Sequence, residues 1–148
     1  MKIDKDYKGL IDEGYRYKIE GDIKTTENLV IDLDKGLFVT GYIQAGGYIY
    51  SGKSIQAGGS IKAGWYIRAG ESIYSGGYIE AGESIYSGGD IQADGYIKAG
   101  RSIQAGGVVK CGILKELGLP EDNDDKIEDK TEDAMKLLKE KGYRIIKV

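Results

Sequence analysis

The chain has 148 residues, a net charge of −3, no His, a single Cys, and 24 Gly against one Pro. An internal disulfide is excluded, and the commonest general base and metal ligand is missing. No basic stripe marks a nucleic-acid footprint, no apolar run approaches the roughly 18 residues of a membrane span, and no secretory leader is legible. The expectation is therefore a cytoplasmic chain of one domain with an appendage.

Residues 1–14 mix charge with Ile3, Tyr7, Leu10 and Ile11. The spacing 7, 10, 11 predicts a short amphipathic helix ending at Gly14. From Tyr15 to Ile23 the text reads as strand. LVIDL (29–33) and GLFVT (36–40) follow, with Ile31, Leu33, Leu37 and Val39 in an inward pattern. Residues 15–40 are read as an irregular first coil that caps what comes next with larger side chains, so that 1–40 form an N-terminal capping region.

From Gly41 to Gly112 the chain is twelve hexapeptides without insertion, GYIQAG to GVVKCG. Position three is Ile eleven times and Val109 once. Position five is Ala, Ser or Cys111, and position six is Gly except at Asp94. Residues two apart on a strand share a face, so positions three and five point inward while two and four point outward. Glycine at six is read as the corner, where a missing Cβ permits φ > 0.

The charges choose the coil length. Neighbouring rungs of a parallel stack lie about 4.7–4.9 Å apart, so residues one coil apart touch. A coil of 12 stacks Glu71 on Glu83 and Lys98 on Lys110. A coil of 18 instead gives a Lys62–Glu80–Lys98 ladder, faces Lys53 with Glu71 and Glu83 with Arg101, and stacks Tyr50, Arg68 and Tyr86. It also gathers Gly41, Gly59, Gly77 and Gly95 on one corner. The predicted fold is an all-β solenoid, a triangular parallel β-helix of 18-residue coils over 41–112.

Beyond it, residues 113–148 form a small α/β appendage. ILKELGLP reads as a brief helical lid, 121–133 as an acidic linker, and the residues from Thr131 as a capped helix ending at Gly142, followed by the strand YRIIKV.

The interior of Ile and Ala leaves no room for a ligand, so any binding must use an outer face, an end or the tail. The first face shows Tyr42, Tyr78 and Tyr96 beside Lys62, Glu80 and Lys98. The second shows Tyr48, Tyr50, Tyr66 and Tyr86 with Trp65 on its corner. The third is the least regular, with Asp90, Asp94, Val108 and Cys111. Tyr and Trp bury much area and keep a polar tip, which suits a binding surface. The competing reading is that outward Tyr only stack across rungs. The glycine corner, open to a flat surface or another backbone, favours binding by the first face.

Acids in the array sit beside bases and read as charge ladders rather than a catalytic pair. Cys111 replaces an inward Ala and lacks a His partner, so it reads as a spacer. Ser51, Ser75 and Ser87 are inward and read as Ala equivalents bonded to backbone. The run 121–133 breaks the calcium-loop pattern at Asp122, Asp124 and Lys126. Ice binding needs a flat face of small hydroxyls, which mixed Tyr, Lys and Glu do not supply. The residues thus predict no catalysis, no cofactor, no metal and no small-molecule ligand.

The run G-x-I-x-A-G-G-x-I resembles the hexads of the bactofilins, bacterial polymer-forming β-helix proteins, and equally the β-helix of the septum inhibitor MinC. The first resemblance implies end-to-end polymerisation, the second dimerisation and protein partners. Elements beyond both ends of the array depart from the stacking pattern, because they would block it. The tail TEDAMKLLKEKGYRIIKV resembles the endings of small phage and mobile-element proteins. That resemblance implies an inhibitor of a host machine, an anti-CRISPR or similar anti-defence protein. The combined expectation is a non-catalytic protein-binding β-helix, regulating or inhibiting a bacterial complex. The first-face residues are its contacts, with Tyr48, Trp65 and Tyr66 next, and its faces or tail could also join it as a homodimer. The alternative is a self-assembling scaffold, and a mimic of nucleic acid through the acidic linker is weaker still.

Overall fold

The computed structural model describes residues 1–113, which form a parallel β-solenoid with no helix among them. In chain order the strands are β1 (Lys2–Ile3), β2 (Ile11–Asp12), β3 (Tyr17–Ile19), β4 (Ile23–Thr25), β5 (Leu29–Ile31) and β6 (Leu37–Val39). The array then supplies β7 (Ile43–Ala45), β8 (Ile49–Ser51), β9 (Ile55–Ala57), β10 (Ile61–Ala63), β11 (Ile67–Ala69), β12 (Ile73–Ser75) and β13 (Ile79–Ala81). It closes with β14 (Ser84–Ser87), β15 (Ile91–Ala99), β16 (Ser102–Ala105) and β17 (Val109–Ile113). The lid, acidic linker, helix and strand expected beyond Ile113 lie outside the described residues.

Each hexad contributes positions three to five as a strand. The strands stack in parallel on three faces, and the register is 18 residues: Ile43, Ile61, Ile79 and Ile97 are successive partners, as are Ile49, Ile67 and Ile85. The stack makes about five turns. At one corner, Asp94–Gly95, strand β15 continues from one face to the next and joins the two into one sheet. Here Asp replaces Gly at position six, and the register with β17 shifts between Ala93 and Tyr96.

The interior follows from the hexad. The array's position-three Ile residues from Ile43 to Ile97 are fully buried, and the Ala beside them nearly so. Burying each Ile contributes about 1.5–3 kcal/mol. The inward serines satisfy themselves on backbone. Ser75 Oγ donates to the Gly59 carbonyl at 2.8 Å and accepts from Gly77 N–H at 3.2 Å, and Ser87 Oγ likewise bonds the carbonyls of Glu71 and Asp90. Among the described residues, no buried side-chain polar atom lacks a partner.

The corner glycines have a different cause from the expected one. None in the array has positive φ. A Cβ at Gly64 would instead lie 2.0 Å from the Gly46 carbonyl oxygen, and one at Gly82 would lie 2.0 Å from that of Gly64. Coils approach one another too closely there for any side chain. Position one has its own spine: Gly59 N–H donates to Gly41 O at 2.9 Å and Gly95 N–H to Gly77 O at 2.8 Å.

The N-terminus corrects the helix expected over 1–14. Ile3 is fully buried and pairs with Ile31 through β1 and β5. The chain then makes separate tight turns, Tyr7 N–H to Asp4 O and Leu10 N–H to Tyr7 O, and Gly9 and Gly14 take positive φ. β2 lies antiparallel to β3, with Ile11 opposite Lys18. A helix of this length is marginal alone, and the open sheet edge offers bonds it cannot match. Met1, Tyr7 and Leu10, partly buried, pack against the core at this end. The first coil is also more regular than its text. β3, β4 and β5 stack under β6, β7 and β8 with a register of 20, because two extra residues occupy the corner between Ile31 and Leu37.

Candidate binding face

The first face is built on β4, β7, β10, β13 and the second half of β15. Its outward position-two column reads Asp22, Tyr42, Ser60, Tyr78, Tyr96 from one end to the other. The Tyr78 and Tyr96 rings stack with centroids 4.9 Å apart and planes 1° from parallel. That spacing is the rung repeat, which falls inside the range where offset aromatic pairs attract. Tyr42 is cut off from this stack by Ser60 and is more exposed than Tyr78 or Tyr96.

The backbone explains why the column is mixed. At several rungs a position-two Asp, Asn or Ser side chain accepts the N–H of the position-two residue one coil later, whereas Ser84 accepts the Ser102 hydroxyl. Tyr42 N–H donates to Asp22 Oδ1 at 2.9 Å, Tyr48 N–H to Asn28 Oδ1 at 3.1 Å and Tyr78 N–H to Ser60 Oγ at 3.1 Å. On the third face Asp90 N–H donates to Ser72 Oγ at 3.0 Å and Val108 N–H to Asp90 Oδ1 at 2.8 Å. Asp90 is thus a rung connector. Sequence reading missed this side-chain ladder. Its one visible signal was Asp22 and Asn28, each lying 20 residues before a Tyr at the matching position.

The charge ladder holds in register, with Lys62 opposite Glu80 and Glu80 opposite Lys98. Lys62 Nζ lies 3.6 Å from Glu80 Oε1, while Glu80 Oε2 accepts the Tyr96 hydroxyl at 3.2 Å. Burial and then this bond hold the Tyr96 phenol above its ordinary pKa. All six first-face residues therefore share one surface, and Glu80 links the Tyr stack to the ladder. Between Tyr42 and Tyr78 lies an open cleft of about 600 Å³ over Gly59 and Ser60, with Asp22 and Lys62 at its rim.

On the second face, Tyr48 and Tyr66 stack at 4.9 Å with planes 4° from parallel. Trp65 stands 57% exposed beside a separate cleft that also touches Met1, Asn28 and Val30. Arg68 is in register with Tyr50 and Tyr86 as expected. The close cation–π contacts among the described residues fall elsewhere, at Arg16 over Phe38 (4.4 Å) and over Tyr15 (5.1 Å), and Lys35 over Tyr17 (5.1 Å).

Lys53 and Glu71 pair at 3.1 Å, and Glu83 and Arg101 approach to 3.8 Å. Lys53 and then Ser54 hold the Glu71 carboxyl below its ordinary value. Cys111 takes the inward slot in register with Ala93, and burial raises its thiol pKa, against a nucleophilic thiolate. Among the described residues no cluster of His, Cys, Asp or Glu could hold a metal, and no helix is long and apolar enough to cross a membrane.

The fold defines a parallel β-solenoid whose first face carries a tyrosine column and a charge ladder. No family model, no curated protein and no solved structure matches the chain.

Proposed function

We propose that this solenoid is a non-catalytic protein-binding module that works through its first face. The observation carrying the reading is the column itself: rigid Tyr rings held one rung apart, tied by Glu80 to alternating charges, beside an open cleft at Ser60. Tyr rings on a stiff sheet lose little entropy on contact, and the charges add register to a partner. The sealed Ile and Ala interior directs binding outward. The resemblance of the tail to small phage proteins narrows the role to inhibition or regulation of a bacterial complex, including a defence complex of the CRISPR type.

Affinity purification from bacterial lysate, with wild type and the triple variant Tyr42→Ala, Tyr78→Ala, Tyr96→Ala side by side, tests this. The expected result is a partner recovered by wild type and lost from the variant, with circular dichroism unchanged. An identical set of recovered proteins would remove the first face from the account. The scaffold reading is opposed by the N-terminal residues that cover one end of the core. Light scattering after size exclusion separates the two, because a scaffold gives a concentration-dependent ladder of sizes.

A further inference from the structure

The cleft at Ser60 has dimensions that the fold itself sets. Rings one rung apart in this column lie 4.9 Å apart and parallel. Tyr42 and Tyr78 are two rungs apart, so twice that spacing, about 9.8 Å, separates their places in the column. Ser60 occupies the rung between them with a side chain too short to fill it. Both tyrosines line the cleft, its floor is Gly59 and Ser60, and its rim carries one acid, Asp22, and one base, Lys62.

Resting on the protein-binding reading above, we propose that this slot takes one aromatic side chain of a protein partner, inserted between Tyr42 and Tyr78. The inserted ring would lie one rung from each. It would complete a four-ring stack with the geometry that Tyr78 and Tyr96 already show. Two parallel stacks at the rung repeat, here and at Tyr48–Tyr66, show that ring-on-ring contact is what this spacing accommodates. A rim of balanced charge gives no preference for a cationic insert over a neutral ring. Asp22 is within the cleft to accept a phenol O–H or indole N–H, and Lys62 to donate to a phenol oxygen.

The slot can be read without a partner. The full chain, labelled with carbon-13 at its tyrosines, is titrated by NMR with p-cresol and separately with n-propylguanidinium, both into the millimolar range where single-ring contacts register. The expected result is a saturable shift of the Tyr42 and Tyr78 ring signals with p-cresol, several-fold larger than at Tyr50 and Tyr86. Ser60→Tyr fills the slot from within and loses that response, and Ser60→Ala, which keeps the slot open, retains it. Equal shifts at all exposed tyrosines, a response only to the guanidinium, or an unchanged response in Ser60→Tyr would each overturn the proposal. Capture of a lysate partner that survives Ser60→Tyr but is lost in the triple alanine variant would sink the slot alone. Loss of neither would sink the face as well.

Discussion

The first coil and the array make the same three-sided coil from different text. In the array the inward pairs are Ile with Ala or Ser, the corners are Gly, and the register is 18. In the first coil the inward pairs are Tyr17 with Ile19, Ile23 with Thr25 and Leu29 with Ile31, and the register to the next coil is 20. The larger pairs fill the end of the column, where Met1, Tyr7 and Leu10 cover them. The difference teaches that the strand positions, not the hexad, define a coil. A corner can absorb two residues provided that the inward side chains still stack.

If close approach rather than φ demands the glycines, Gly82→Ala should produce the largest effect. Its Cβ would meet backbone at 2.0 Å, whereas at Gly52 nothing lies within 4 Å. Thermal unfolding should show a loss above about 3 kcal/mol for Gly82→Ala, and for Gly52→Ala a change within about 0.5 kcal/mol. Next in size is Ile61→Ala, a fully buried position between two stacked Ile, at about 2–5 kcal/mol in chemical denaturation.

Ser72→Ala removes the acceptor of the Asp90 N–H and should cost about 0.5–1.5 kcal/mol in the same denaturation experiment. A neutral outcome there would dismiss the side-chain ladder.

Acid should separate the two regions. In the first coil, Lys35 and the Gly14 N–H hold Asp12 below its ordinary 3.8, and Lys5 and Tyr17 do the same for Asp34. In the array Glu71 lies below 4.5. A lowered folded-state pKa contributes stability above the ordinary value and loses it as pH falls through the depressed one. Hydrogen exchange below about pH 4 should therefore loosen β2 and β3, tied by two such carboxylates, more than the array strands, tied by one. The smallest effect belongs to Lys53→Ala, which breaks an exposed pair worth about 0.2–1 kcal/mol by thermal unfolding.

The array was legible because its period is written in every hexad, and the charges at 62, 80 and 98 select a coil of 18. The helix expected at 1–14 failed because Tyr7, Leu10 and Ile11 carry a helical spacing by accident of the cap. Ile3 stacking on Ile31 decides that segment, and local spacing contains no trace of it. The six first-face residues were legible as one surface. The role of Asp22 was not, since it depends on a coil of 20 below the array.

Hydroxyl-radical footprinting of the captured complex tests the central claim, that the first face does the binding. Oxidation of Tyr42, Tyr78 and Tyr96 should fall when the partner is bound, while Tyr15 and Tyr86 stay as reactive as in the free protein. Protection of Tyr15 or Tyr86 with Tyr42 and Tyr78 unchanged would contradict it.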